Sequence, residues 1–205
     1  MADQLGSLSN IKTRLTITDA TDDALLGSLL DSVSAYVQDR CHRRLLPDNG
    51  ATYIVDTGAG SAISVPRGIR TVTTLEVAAT DQPDTGGTYT AVVAADILLR
   101  PSSLFRRTGW PPDTILIRGA GARLRQALNG ARIVGDFDFA TTPLPIANVV
   151  EDAVVVAFAA RQGGASDAIG AERNAIPSWD DHFSEDSAQG RTLTRYTIGT
   201  KIGMA

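Results

Sequence analysis

The sequence has few of the residues that most often do chemistry in proteins. Its 205 residues include one cysteine, Cys41, and two histidines, His42 and His182. One cysteine cannot form an internal disulfide, and the adjacent Cys41 and His42 lack the ligand spacing of a zinc site. The Gly-x-Ser-x-Gly turn of hydrolases, the dinucleotide-binding Gly-x-Gly-x-x-Gly and the Gly-Lys phosphate loop are also missing. We therefore predict no enzymatic activity, no metal site and no cofactor.

Long apolar runs are missing as well. No stretch reaches the roughly 18 apolar residues that a bilayer-spanning helix needs, and the start lacks the basic and then apolar order of a signal peptide. Hydrophobic residues make up 43% and charged residues 20% of the chain, which is typical of a folded globular protein. We predict no membrane partner. The net charge of −4 also argues against general affinity for nucleic acid.

Charge is distributed unevenly along the chain. Residues 100–132 hold seven arginines against Asp113 alone, and the segments on either side are acidic. Arginine binds both carboxylates and phosphates through paired hydrogen bonds, so two interpretations stay open. In the first, the stretch contacts a polyanion, as in a nucleic-acid-binding module. In the second, it pairs with the acidic surface of a neighbouring copy, and the acidic segments on either side favour this interpretation. The arginines are Arg100, Arg106, Arg107, Arg118, Arg123, Arg125 and Arg132.

An amphipathic helix is predicted over about residues 22–45. Apolar side chains recur there at spacings of three and four, and the turn residues of Pro47–Gly50 end the helix. Asp19 or Thr21 is the expected N-cap. The first turn carries Asp22 and Asp23, which suit the helix dipole.

A second helix is predicted from Pro145 to about residue 163. Its apolar stripe runs from Ile146 to Phe158, with Glu151 largely off it. Because both stripes need a partner surface, we expect the two helices to pack on each other.

Between the helices the pattern changes to short β-prone segments separated by Gly- and Pro-rich turns. About six such segments predict a small antiparallel sandwich or barrel inserted between the helices. The segments are 52–56, 62–65, 69–78, 96–100, 114–118 and 132–139.

The last 42 or so residues have too few large apolar side chains to fold alone. They either become ordered on a partner or form a partly disordered end. The predicted fold class is therefore α+β: a hairpin or bundle of two long helices, an inserted small antiparallel β domain and an extended C-terminal tail. The predicted boundaries are 1–50 for the N-terminal segment and first helix, 51–142 for the β domain, 143–163 for the second helix and 164–205 for the partner-binding tail.

The order of several short motifs resembles the head–tail connector, or adaptor, family of tailed bacteriophages and related gene transfer agents. The resemblance covers residues ~13–163. Gly135-Asp-Phe-Asp138 departs from the family's Gly-x-Phe/Tyr-Gly pattern, at the end of a strand. The motifs are Asp22–Leu30, Val37–Leu45, Tyr53–Gly60, Ile63–Pro66, Ile69–Leu75, Leu98–Pro101, Gly109–Pro111, Gly135–Phe139 and the Pro145 helix start.

The resemblance implies a structural protein of the virion, made in the bacterial cytoplasm. Such adaptors form a ring of twelve copies beneath the portal, extend the DNA channel and receive a head-completion (stopper) or tail protein. Their C-terminal segment engages the portal, a role that would fall here to Trp179, Phe183, Tyr196 and Ile198. Subunit contacts or the channel lining would then involve Arg100, Arg106, Arg107, Arg118, Arg123, Arg125, Asp22 and Asp23.

Overall fold

A computed structural model describes residues 4–78, 88–101, 110–118, 124, 126–166 and 178–197. The chain divides into two compact units. The helical unit comprises residues 1–45 with 142–205, and the β unit comprises residues 46–141. The described helices of eight or more residues all lie in the first unit, and two antiparallel sheets form the second, so the predicted α+β class is confirmed.

Five described helices form the helical unit. The helices α1, α2 and α3 contact one another, and α5 contacts both α2 and α3. Leu26, Leu30, Val33 and Val37 of the predicted stripe are fully buried on α2. None of the helices in the described residues is long and apolar enough to cross a membrane. The helices are α1 (Leu8–Leu15), α2 (Asp23–Cys41), α3 (Leu144–Ser166), α4 (Trp179–His182) and α5 (Ala188–Thr194).

Both ends of α2 differ from the prediction. Asp22, not Asp19 or Thr21, is the N-cap residue, because the Asp19 carboxylate accepts a hydrogen bond from the Thr21 backbone N–H at 2.9 Å and closes a turn before the helix. At the other end His42 adopts a left-handed conformation with φ of 50°, which ends the helix about four residues earlier than expected.

Seven described strands form the β unit. One sheet has the order β1-β7-β3-β4 and the other β2-β6-β5, and every pairing in them is antiparallel. Both sheets contribute to one core, which includes Leu75 and Ile133 from the first sheet and Ile63 and Ile115 from the second. The strands are β1 (Asp48–Thr57), β2 (Ala62–Ser64), β3 (Ile69–Ala78), β4 (Tyr89–Ala91), β5 (Ile97–Arg100), β6 (Thr114–Ile117) and β7 (Ala127–Phe137).

The last three residues of the predicted turn Pro47–Gly50 are part of β1 instead. Asp48 already pairs with Phe137, and the register shifts between Asp48 and Ala51, so the turn residues form a bulge. Gly50 has a φ of 64° there, which glycine adopts without strain. The residues that suggested a turn therefore form a bulge within a strand.

The prediction of an extended tail is wrong for residues 178–197, which contain the helices α4 and α5. Serines cap both helices: Ser178 Oγ accepts from the Asp181 N–H at 3.2 Å, and Ser187 Oγ accepts from the Gly190 N–H at 2.8 Å. The β-prone threonines of α5 are accommodated because their hydroxyls donate to helix carbonyls, as Thr194 does to Gly190.

Candidate functional site

One of the predicted tail anchors, Phe183, lies against α2 in the helical unit. Phe183 is fully buried, and its ring stacks on Tyr36 of α2 with centroids 5.4 Å apart. Trp179 is half-buried, with its ring centroid 6.3 Å from that of Phe183. The Tyr36 hydroxyl donates to the Asp180 carboxylate at 2.6 Å, so an aromatic and a polar contact both hold α4 to α2.

Two of the four predicted anchors remain accessible in this fold. Trp179 and Tyr196 are half-exposed, whereas Phe183 is part of the unit's own core. Ile198 lies outside the described residues. Portal contact by these four residues stays a prediction.

A cleft of about 360 Å³ opens where the C-terminal end of α2 meets the tail. Three carboxylates line it, against one arginine. Burial, reinforced by the hydrogen bond to Asp180, raises the pKa of Tyr36 at its wall, so this hydroxyl keeps its proton at neutral pH. The lining residues are Tyr36, Asp39, Arg40, His42, Asp180, Glu185, Thr194 and Thr197.

The single cysteine is inert. Cys41 ends α2, is fully buried, and has a pKa raised to about 11 by that burial. Its thiol therefore stays protonated at neutral pH, when the thiolate would be the reactive form. In the described part of the chain no three His, Cys, Asp or Glu side chains are placed to hold a metal ion.

The two acidic residues predicted for a subunit contact lie at the start of α2. Asp22 is the half-buried N-cap residue, and Asp23 forms an ion pair with Lys12 of α1 at 2.6 Å. Asp23 thus has a partner within its own chain. A contact of either residue with a second copy stays a prediction.

The arginine stretch is only partly described. Arg100 at the end of β5 and Arg118 just after β6 are both exposed. Arg132 is engaged on β7, where its Nε donates to Glu76 at 2.5 Å and its guanidinium lies over the Tyr89 ring. Arg106, Arg107, Arg123 and Arg125 lie outside the described residues.

The sequence analysis missed a buried carboxylate that holds α1 in place. Glu151 of α3 is 2% exposed. One of its oxygens accepts from the Ser7 backbone N–H and from the Asn10 amide, each at 3.0 Å, and the other pairs with Arg14 at 3.2 Å. Helical spacing placed Glu151 off the apolar stripe. Its burial could have been inferred only from the polar residues near the N-terminus that bind it.

A second missed cluster joins the two ends of the β unit. Arg67 pairs with Asp48 at 3.0 Å and with Asp138 at 3.3 Å, and its guanidinium lies 4.8 Å from the centre of the Tyr53 ring. Asp48 begins β1 and Asp138 directly follows β7. Asp138 is fully buried, so Arg67 supplies the positive charge that a buried carboxylate requires.

Comparison with known proteins found a matching family model and solved structures with a similar fold. The sequence model of the phage gp6-like head–tail connector proteins matches residues 6–86. A chain from the neck of an empty gene transfer agent (GTA) particle, computed with C6 symmetry, shares the fold with a TM-score of 0.54 and 17% identity, covering 99% of this chain and 95% of that one. None of the curated proteins matches. Over residues 6–86 the chain thus carries the sequence pattern of the phage gp6-like head–tail connector family, which confirms the resemblance predicted from its motifs.

Proposed function

We propose that this chain is a structural connector between the head and the tail of a tailed phage or a gene transfer agent. Copies form a ring beneath the portal, dock through the C-terminal region and extend the DNA channel toward a head-completion or tail protein. The match of residues 6–86 to the connector family carries this proposal.

The shared fold supports a place in a particle neck. The similar chain belongs to a neck described with six-fold symmetry, and nearly all of the present chain is covered by the comparison. Rings of three or more copies arise when one surface of a subunit meets a different surface of the next and the contacts close. Twelve copies are compatible with a six-fold axis.

The tail supplies the docking surface. Its core residues Phe183 and Leu193 hold α4 and α5 in the helical unit, while Trp179 and Tyr196 remain half-exposed. Tryptophan and tyrosine are among the residues that most often contribute large binding energies at protein interfaces. A truncation before residue 178 would be a poor test, because it would remove buried core side chains together with the proposed contacts.

Substitution in the full chain tests the proposal directly. We expect Trp179→Ala with Tyr196→Ala to weaken attachment to purified DNA-filled heads that carry the portal by about 30-fold or more, the loss typical of a hot spot. Co-sedimentation of labelled protein with the heads measures attachment. The control is Tyr89→Ala in the β unit, which removes an aromatic side chain outside the tail. Normal attachment of the double variant would contradict docking through these residues, and failure of the unaltered chain to attach would contradict the connector role.

A further inference from the structure

The cleft beside the tail has an excess of negative charge. Asp39, Asp180 and Glu185 line it against Arg40. Asp39 and Glu185 are exposed, and neither forms an ion pair within the described part of the chain. With three carboxylates against one arginine, the cleft carries a net negative charge that favours a positively charged group from outside.

The positions of the carboxylates favour a guanidinium group over a metal ion. Its carboxylates come from α2, α4 and the segment between α4 and α5, and nowhere in the described residues do such groups gather closely enough to ligate a metal. A guanidinium is planar, carries five donors and can reach several acceptors at once. The Thr194 and Thr197 hydroxyls also line the cleft; each donates to a backbone carbonyl and can still accept a hydrogen bond.

The chain itself contains a fitting partner. Residues 100–125 hold six arginines against Asp113, and the two described arginines, Arg100 and Arg118, are exposed. Cleft and arginines belong to different units of every copy. A contact between the cleft of one copy and the arginines of the next joins two different surfaces, and such heterologous contacts can close into a ring.

We propose that the cleft receives an arginine side chain from residues 100–125 of a neighbouring copy. This inference rests on the proposed function, because it specifies one contact of the ring. Asp39 and Glu185 accept hydrogen bonds from the guanidinium, and Asp180, which already accepts from the Tyr36 hydroxyl, adds its negative charge.

A peptide isolates this contact from ring formation. The probe is residues 100–110 of this chain, which contain Arg100, Arg106 and Arg107, titrated into the full-length protein at low salt with NMR detection. We expect amide shifts around Asp39 and Glu185, and at least about tenfold weaker binding when the three arginines of the peptide are replaced by glutamine.

A pair of neighbouring acidic residues provides the matched control. Glu185 lines the cleft, whereas Asp186 is also exposed and does not line it. Glu185→Lys should weaken peptide binding about tenfold, and Asp186→Lys should change it less than about threefold. Equal effects of the two variants, shifts confined to another surface or no binding would each overturn the inference.

Two further measurements identify the partner and separate this inference from the proposed function. If a second copy is the source, Glu185→Lys chains should self-associate poorly but should associate with copies that carry Arg106→Glu and Arg107→Glu. Failure of the mixture to associate would overturn that source. Attachment to portal-bearing heads is then measured independently. Attachment without peptide binding contradicts only the cleft contact, and peptide binding without attachment contradicts only the connector role.

Discussion

Glu151 shows how one residue can fix an element distant in sequence. It is buried on α3, and Ser7, Asn10 and Arg14 converge on it from the N-terminal segment. A buried carboxylate is tolerated only where hydrogen bonds and a counter-charge replace water. The N-terminal segment supplies both, so the position of α1 depends on this side chain.

Replacing Glu151 should therefore release α1. We expect Glu151→Ala to lower the free energy of unfolding by about 2 to 3 kcal/mol, because the Ser7 N–H and the Asn10 amide lose their acceptor. Urea denaturation measures the loss, and hydrogen exchange should show reduced protection over Leu8–Leu15. The control is Asp152→Ala, which removes an exposed partner of Arg14 and should cost less than about 1 kcal/mol. Equal losses in the two variants would contradict the anchoring role.

At this scale the sequence predicted apolar burial better than polar partners. The stripes on the two long helices indicated Leu26 and Val150 as core residues, and both are fully buried. Glu151 could not be placed in the same way, because its burial depends on side chains more than 130 residues earlier in the chain. Helical periodicity carries no information about such a contact.

At the scale of secondary-structure elements, composition alone could not predict the tail helices. Low apolar content and β-prone threonines predicted an extended segment, yet Ser178 and Ser187 cap two helices there. The burial of Phe183 and Leu193 then compensates for the small number of apolar residues. By contrast, β3 was predicted with its exact bounds, since ten β-prone residues between turns leave little alternative.

Two glycines in helices predict opposite effects of one substitution. A Cβ on Gly190 of α5 would overlap the carbonyl oxygens of Phe183 and Ser184, whereas a Cβ on Gly27 of α2 would meet no atom within 4 Å. Gly190→Ala should therefore destabilise the helical unit by about 2 kcal/mol or more through overpacking. Gly27→Ala should stabilise the protein by about 0.5 to 1 kcal/mol, because alanine favours a helix. Thermal and urea denaturation measure both.

Stabilisation by Gly190→Ala would contradict the close approach of α5 to the preceding segment. If that approach exists, the substitution should also increase the accessibility of Cys41 to thiol reagents, because the Cys41 thiol lies 4.0 Å from the Leu193 carbonyl of α5. Gly27→Ala should leave that accessibility unchanged.

For the whole molecule, the sequence predicted where strands replace helices but not which strands pair. The change from helical to strand periodicity correctly predicted an antiparallel β region between two long helices. It could not predict the pairing of β1 with β7, nor the Arg67 ion pairs with Asp48 and Asp138. Strand partners are selected by tertiary packing, and local pattern determines only which residues alternate.

The structure predicts that the β unit can be removed. Replacing residues 46–141 by a Gly/Ser linker of about six residues should leave a helical unit that unfolds cooperatively, because such linkers are flexible and impose no conformation. Circular dichroism and urea denaturation test this. Adding Glu151→Ala to the shortened chain should destabilise it as in the full chain. A broad, non-cooperative transition in the shortened chain would contradict the independence of the helical unit.

The pairing of Asp48 with Phe137 also has a kinetic consequence. The first strand of the β unit starts beside the place where its last strand ends, at the spacing of adjacent strands, about 5 Å. Once that sheet has formed, the chain segments leading to α2 and α3 are already brought close together. The helices α2 and α3 are separated by about a hundred residues, but their contact then costs only the loop-closure entropy of a short connection. The rest of the helical unit can therefore fold as rapidly as a protein of low contact order.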